Sequence, residues 1–323
     1  MSRRATSPTN EMKAIVTGGA GLIGSAIINR LNELGCREIL VVDFLNEKNW
    51  SNLTPLKFSD YVEADKFKSK WIKYYDVVFH LGACSDTTET DCKYLIENNF
   101  EYTKKLAKKS IQLNKKFIYA SSAATYGDGS NGMSDSSPVD GLIPLNMYGY
   151  SKHLFDLFAA KNNLFDRITG LKYFNVFGPY EAHKGKMSSI VFKAFHQIKE
   201  KGFVELFKSY NPDYADGEQK RDFLYVKDAA DITIKFSQST SSGLYNVGSG
   251  QASSWVELVT HIFKALNIEP SIRFIEMPEE LKEKYQYFTQ ANIGNLINTV
   301  NNIRLTPLEE AVDDYVNNYL NKK

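Results

Sequence analysis

Short unbroken apolar runs alternate with amphipathic stretches through the first half of the chain. Ala14-Ile15-Val16, Ile39-Leu40-Val41-Val42, Asp76-Val77-Val78-Phe79-His80-Leu81 and Lys116-Phe117-Ile118-Tyr119-Ala120 read as strands. Their apolar residues are continuous rather than alternating, which predicts a parallel sheet covered on both faces. The helices between them carry one apolar side: Ile23, Ile27, Ile28 and Leu31 after the first strand, and Leu106, Ala107 and Ile111 in a helix expected over 98–114. After another strand within 168–174 the pattern breaks into loops with Pro179 and Pro212. It resumes with a strand at 243–247, a helix over 255–266, a strand at 272–275 and a last helix near 308–320.

The first strand runs into Thr17-Gly18-Gly19-Ala20-Gly21-Leu22-Ile23-Gly24, a glycine-rich turn that opens a helix and fits a dinucleotide-binding βαβ unit. Gly19 permits the tight turn, Gly21 lets the backbone approach a pyrophosphate, and Gly24 lets helix and strand pack closely. The pyrophosphate would rest on the free N–H groups of the new helix. The second strand ends in Asp43, roughly 20 positions past the last glycine, where a carboxylate meets an adenosine ribose. The fold class expected is α/β, a Rossmann-type doubly wound parallel sheet with a smaller, mostly C-terminal α/β substrate-binding lobe. Residues 12–176 with about 222–248 form the first unit, and 177–221 with about 249–323 the second. The loops after Val16, Val42, Leu81 and Ala120 should line one crevice.

Composition adds exclusions. At 323 residues, with 43% hydrophobic and 24% charged residues and a formal net charge of +1, the chain carries no electrostatic footprint for nucleic acid or an anionic membrane. Cys36, Cys84 and Cys92 have no metal-ligand spacing, and their odd number gives no reason for a disulfide framework. No apolar run approaches the roughly 18 residues that span a bilayer, and a cytoplasmic protein is expected. Residues 1–11 read as a disordered leader or expression remnant, with Met12 the natural start. His80, His153 and His196 have no second ligand at metal spacing, so no metal is expected.

Tyr148 and Lys152 lie four apart at the start of a helix expected over 151–162, hence on one face. An ammonium beside a phenol favours the phenolate, which could then take a proton from an alcohol. In an arbitrary protein such a pair would be an exposed surface contact; here it follows a dinucleotide turn and a strand ending in Ser121-Ser122.

Together with Arg221-Asp222-Phe223-Leu224-Tyr225-Val226-Lys227-Asp228, these motifs resemble the extended short-chain dehydrogenase/reductase family, whose members act mostly on nucleotide sugars. The segments 82–89, 120–127, 173–185 and 284–291 are similar to its ADP-glycero-manno-heptose 6-epimerases, enzymes of lipopolysaccharide core precursor synthesis. The resemblance runs from about Met12 to the C-terminus. It implies an isomerase that oxidises the heptose C6 alcohol to a ketone and re-reduces it on the other face. Tyr148 and Lys184 would be the two bases, Lys152 would hold the nicotinamide ribose and tune Tyr148, and Ser122 would bond the reacting oxygen. Without the resemblance, Lys184 reads as a solvated loop lysine.

For the cofactor, Gly18, Gly21, Leu22, Ile23 and Gly24 serve the pyrophosphate, with Asp43 and Phe44 by the adenosine ribose. Leu81, Gly82, Ala83, Cys84, Ser85 and Asn98 flank the adenine side, with Lys66 and Val176 as further contacts. Asp43 argues for NAD, because a carboxylate repels a 2′-phosphate; the resemblance implies NADP, with Lys48 as the compensating cation, although Glu47 stands beside it. Implied substrate contacts are Ser122, Asn175, Lys186, Lys193, Phe207, Lys208, Ser209, Tyr210, Arg221 and Tyr285. Arg221 suits a diphosphate through its planar fork, or else pairs with Asp222 or Asp228. Lys186 and the Lys208 turn depart from the family pattern and fall on the substrate pocket. The partner expected is ADP-heptose or a related nucleotide sugar, and the resemblance implies a homo-oligomer, with a pentamer as one form. A UDP-hexose 4-epimerase needs the same Ser122, Tyr148 and Lys152 without Lys184; a non-catalytic cofactor-sensing module is the remote alternative.

Overall fold

The computed structural model describes residues 9–282 and 285–322. The first eight residues of the expected leader and Lys284 of the late aromatic run lie outside them. Thr9–Glu11 form one 3-10 turn, where a disordered leader is expected, and the Gln238 amide donates to the Thr9 hydroxyl at 2.5 Å.

In chain order the strands are β1 (Ala14–Thr17), β2 (Ile39–Asp43), β3 (Asp60–Glu63), β4 (Val77–His80), β5 (Lys116–Ser122), β6 (Thr169–Tyr173), β7 (Asn175–Phe177), β8 (Val204–Phe207), β9 (Lys220–Tyr225), β10 (Gly243–Val247), β11 (Ala252–Ser254) and β12 (Ile272–Ile275). The principal helices are α1 (Leu22–Glu33), α2 (Cys92–Leu95), α3 (Tyr102–Gln112), α4 (Met147–Lys161), α5 (Ile190–Lys201), α6 (Val226–Gln238) and α7 (Trp255–Ala265), followed late in the chain by Leu308–Tyr315.

A seven-stranded sheet runs in the order β10-β6-β5-β4-β1-β2-β3, with every pairing parallel. Its apolar strands are buried between two layers. Ile27, Ile28 and Leu31 of α1 share one core with Ile232 of α6, and Leu106 and Ala107 of α3 share the other with Phe155 and Ala159 of α4. The chain steps outward from β1 to β3 and then returns to pair β4 against β1. This is the reversal at which α/β sheets open a crevice outside their carboxyl ends. A three-stranded sheet β11-β9-β7 and a two-stranded pair β12-β8 hold the remaining strands. Thus β10 joins the main sheet while β9, on the other side of α6, belongs to the smaller one.

Local departures from the expected elements have physical causes. The helix expected over 98–114 is broken by a π-helical turn, Ile96–Glu101, ahead of α3. Helix α4 starts at Met147, four residues early, because the Asn146 side chain accepts from the Gly149 N–H at 2.7 Å and caps it. The edge strand β3 has too polar a sequence, Asp60-Tyr61-Val62-Glu63, to read as a strand. Among the described residues no helix is long and apolar enough to cross a membrane.

Candidate active site

The crevice at the strand ends opens into a cleft of about 1040 Å³. At its β1 end Gly18 has φ +68° and sits hard against the Gly82 backbone, so the chain needs glycine there. A Cβ on Gly24 would collide with the Gly18 carbonyl oxygen. The N-cap of α1 is Gly21, with no side chain to occupy the first-turn N–H groups; this leaves them for an anion. Asp43 accepts from Ala20 N at 2.8 Å and from Phe44 N at 2.7 Å, so it braces the glycine turn from the end of β2, and burial pushes its carboxyl up. These residues fit the pyrophosphate and ribose of a dinucleotide.

Behind the turn, His80 ends β4 fully enclosed. The Thr103 hydroxyl donates to Asn99 O at 2.7 Å and so accepts from His80 Nε2 at 2.9 Å. His80 Nδ1 then accepts from the Thr17 hydroxyl at 2.6 Å. This chain assigns a single neutral tautomer and ties β4 to β1 beneath the cleft.

At the β5 end, Ser122, Tyr148 and Lys152 line the cleft together. The Ser122 hydroxyl works against a burial that pushes the Tyr148 phenol up. The depression of Tyr148 expected from Lys152 is therefore not what the geometry produces. Lys152 donates instead to the Ala120 carbonyl at 2.9 Å, and its own burial lowers the ammonium to about 8 against the pull of Asp156 and Cys84. Under this triad lies a buried network absent from the sequence reading. Asp156 accepts from the Tyr119 and Ser121 hydroxyls at 2.7 Å each and from Lys172 at 3.0 Å, and Lys172 also donates to Thr125. It clamps the end of β5 to the middle of α4, and hence Ser122 to Lys152.

Lys184 enters from the 3-10 segment Ala182–Met187 and lines the same cleft. Burial lowers its ammonium, with Lys193 adding and Glu181 opposing. Its loop is anchored by the buried Glu181 carboxylate, which accepts from Gly178 N at 3.2 Å, Ser189 N at 2.5 Å and Ser189 Oγ at 2.8 Å.

The cleft also takes in Leu22, Ile23, Leu81, Ala83 and Ser85, with Asn175, Val176, Lys186, Lys193, Phe207 and Tyr285. Other expected residues fall outside its lining. Phe44 lies exposed beside Asp43, Lys48 is exposed on its turn, and Lys66 pairs with Glu63 at 2.5 Å. Cys84 is held by backbone bonds to Asn99 at 2.8 and 3.0 Å. Asn98 donates back to Tyr94 O, and its neighbour Asn99 is the one that also reaches Ser151 at 2.9 Å. Lys208 pairs with Glu276 at 2.6 Å, Ser209 N donates to Asp216, and Tyr210 donates to Glu276. Arg221 pairs with neither aspartate considered for it: Asp222 is taken up by Ser249, Gly250 and Ala291, and Asp228 by Thr306. Its guanidinium lies 5.5 Å from the Trp255 ring and 5.3 Å from the Tyr285 ring, stacked directly behind the lining. Asn146, His183, Gln197, Trp255, Gln286 and Thr289 line the cleft without having been anticipated. Gln197 and Trp255 stand on ordinary amphipathic helices and carry no local signal; His183 and Gln286 lie inside motifs already singled out.

A model of the NAD dependent epimerase/dehydratase family matches residues 14–248. The ADP-L-glycero-D-manno-heptose-6-epimerase of Nitratidesulfovibrio vulgaris Hildenborough is 48% identical over 314 residues, 95% of this chain and 97% of that one. The protein of the same name from Fusobacterium nucleatum is 46% identical over 327 residues, 96% and 98% of the two chains. The crystal structure of the Helicobacter pylori ADP-L-glycero-D-manno-heptose-6-epimerase superposes with a TM-score of 0.82 at 27% identity, covering 99% of this chain and 100% of that one.

Proposed function

The chain belongs to the NAD dependent epimerase/dehydratase family and, within it, to the ADP-L-glycero-D-manno-heptose-6-epimerases, and we propose that it interconverts the two C6 epimers of ADP-glycero-D-manno-heptose as a precursor step for lipopolysaccharide core. The observation that carries this reading is the meeting of Ser122, Tyr148, Lys152 and Lys184 in one cleft with the dinucleotide turn.

A bound nicotinamide supplies a hydride acceptor and donor for C6. Tyr148, which lines the cleft with Ser122, takes or returns the C6 hydroxyl proton on one face of the sugar. Lys184, whose burial favours the neutral amine, does the same on the other. The Ser122 hydroxyl bonds the reacting oxygen as charge develops on it. Each proton and hydride removed in the first half is returned in the second, so the cycle needs no external oxidant. Arg221 and Tyr285, with Lys193, are assigned to the nucleotide diphosphate, and Asn175, Lys186 and the turn from Phe207 to Tyr210 to the rest of the substrate.

NADP is the cofactor form we assign. Asp43 spends its carboxylate on Ala20 and Phe44, Lys66 is committed to Glu63, and Lys48 is the exposed lysine left for a 2′-phosphate. Mass spectrometry of the extracted cofactor distinguishes NADP from NAD. A homo-oligomer in the cytoplasm accompanies this reading, and light scattering measures its size.

The test is proton NMR of the purified protein with ADP-D-glycero-D-manno-heptose and no added cofactor, beside a tube of UDP-galactose. The L-glycero epimer is expected to appear, and to be lost in Tyr148→Phe and Lys184→Ala. Conversion of UDP-galactose alone would move the substrate to a UDP-hexose; conversion of neither would overturn the epimerase reading.

A further inference from the structure

Asn52 lies in the 3-10 turn Trp50–Leu53 after β2, 8% exposed, and far in sequence from Lys184. Its Nδ2 donates to the Ala20 carbonyl at 2.9 Å and to the Tyr180 carbonyl at 3.0 Å, and lies 3.1 Å from His183 Nδ1. Ala20 belongs to the dinucleotide turn, while Tyr180 and His183 belong to the loop that carries Lys184. One amide therefore joins the two halves of the cleft.

The orientation of that amide follows from its partners. Two carbonyl oxygens face it, so both must be met by the NH₂ group; a flipped amide would set oxygen against oxygen. Both amide hydrogens are then taken up by the two carbonyls, and His183 packs against the amide from the Lys184 loop. Burial and the neighbouring Lys184 both lower the His183 imidazole, with the Tyr180 backbone opposing. Tyr180 holds φ +79° where its carbonyl meets Asn52, a conformation that a tyrosine keeps only when its surroundings impose it. A weaker tie across the cleft runs from the Thr87 hydroxyl to the Met187 sulfur at 3.7 Å.

Resting on the assignment of Lys184 as the second base, we propose that Asn52 is a positioning residue for Lys184, setting the loop against the dinucleotide turn so that the amine meets the C6 hydroxyl while the C6 hydrogen faces the nicotinamide. Glu181 holds the same loop to its own lobe; Asn52 sets its distance from the cofactor side. A base displaced by about 1 Å loses about 100-fold in rate, so this tie bears on turnover although it touches no reacting atom.

The experiment is single-turnover reduction of the bound nicotinamide, followed at 340 nm, on mixing the holoenzyme with each pure C6 epimer. In the two-base reading Lys184→Ala slows one epimer only. Asn52→Ala and the isosteric Asn52→Asp are expected to slow that same epimer by about 100-fold and leave the other within about twofold, with cofactor content and melting temperature retained. Asn52→Asp keeps the side-chain size and decides the question where Asn52→Ala fails to fold. Equal slowing of both epimers, loss of bound cofactor, or no slowing would overturn the positioning role. If Lys184→Ala itself treats both epimers alike, the second-base assignment falls, and this is read without any Asn52 variant.

Discussion

The Lys152 ammonium donates to the Ala120 carbonyl, 2.9 Å away at the end of β5, one residue before the Ser121-Ser122 pair. That bond holds a buried cation at the β5 end of the cleft without a carboxylate in contact. Burial lowers its pKa to about 8, so the charge is present below pH 8 and lost above it. Initial rates between pH 6 and 10 should fall with single-proton slope above about pH 8. Lys152→Arg should keep a fraction of the rate and lose that alkaline limb, because a guanidinium stays charged throughout. The same shift acts on stability with a definite sign. The unfolded lysine titrates near its ordinary 10.5, so the folded state carries the full cost of the buried charge below pH 8 and sheds it as pH rises from 8 to 10.5.

His80 has its tautomer locked by Thr17 and Thr103, and burial lowers its pKa from 6.5 to about 3. Below pH 6.5 the unfolded chain takes up a proton that the folded chain refuses until about pH 3. Stability should therefore decline on acidification by about 1.4 kcal/mol per pH unit from this residue. Urea unfolding at pH 7, 6, 5 and 4 measures it. The slope should flatten by one proton in His80→Gln, which has a lower stability at pH 7 but no imidazole to protonate.

The main sheet is legible in the sequence because each of β1, β2, β4 and β5 is a continuous apolar run, and only a strand covered on both faces tolerates that. Glycine spacing and the Tyr148/Lys152 interval are equally local signals. What stays hidden is whatever depends on a partner far along the chain. Lys172 carries no local sign of its surroundings, yet it is almost fully buried because Asp156, sixteen residues earlier, meets it. Asn52 reads as a loop residue until Tyr180 and His183 are folded onto it. The Asn98/Asn99 choice turns on a π-helical turn, whose wider ring rotates side chains away from the face that α-helical spacing assigns.

Arg221 is buried to 7% exposure between two aromatic rings with no carboxylate at hydrogen-bond distance among the described residues. A desolvated cation of this kind gains most from an anionic ligand. Arg221→Met is expected to weaken ADP binding by about 10- to 100-fold, the worth of a charged hydrogen bond of roughly 1.5–3 kcal/mol, measured by calorimetry. Arg221→Lys should recover little of it, since an ammonium cannot stack on Trp255 and Tyr285 as a planar guanidinium does. Bound nicotinamide should be unchanged in both variants.

Asp156 and Lys172 form an ion pair at 3.0 Å with side chains 0% and 1% exposed, and the cost of disturbing it depends on which charges remain. Lys172→Met strands a carboxylate that still accepts from Tyr119 and Ser121 but has lost its counter-charge. Asp156→Asn strands an ammonium with Thr125 as its remaining partner. Each single variant should lose about 3–5 kcal/mol by urea unfolding. The double variant Asp156→Asn with Lys172→Met removes both charges and leaves an amide whose oxygen accepts from one hydroxyl and whose NH₂ donates to the other, so it should be more stable than either single one, with a favourable coupling of at least about 1 kcal/mol. Additive losses would instead mean that the two groups stabilise the fold through separate contacts, and that the clamp between Ser122 and Lys152 is held by Ser121 and Tyr119 rather than by the ion pair.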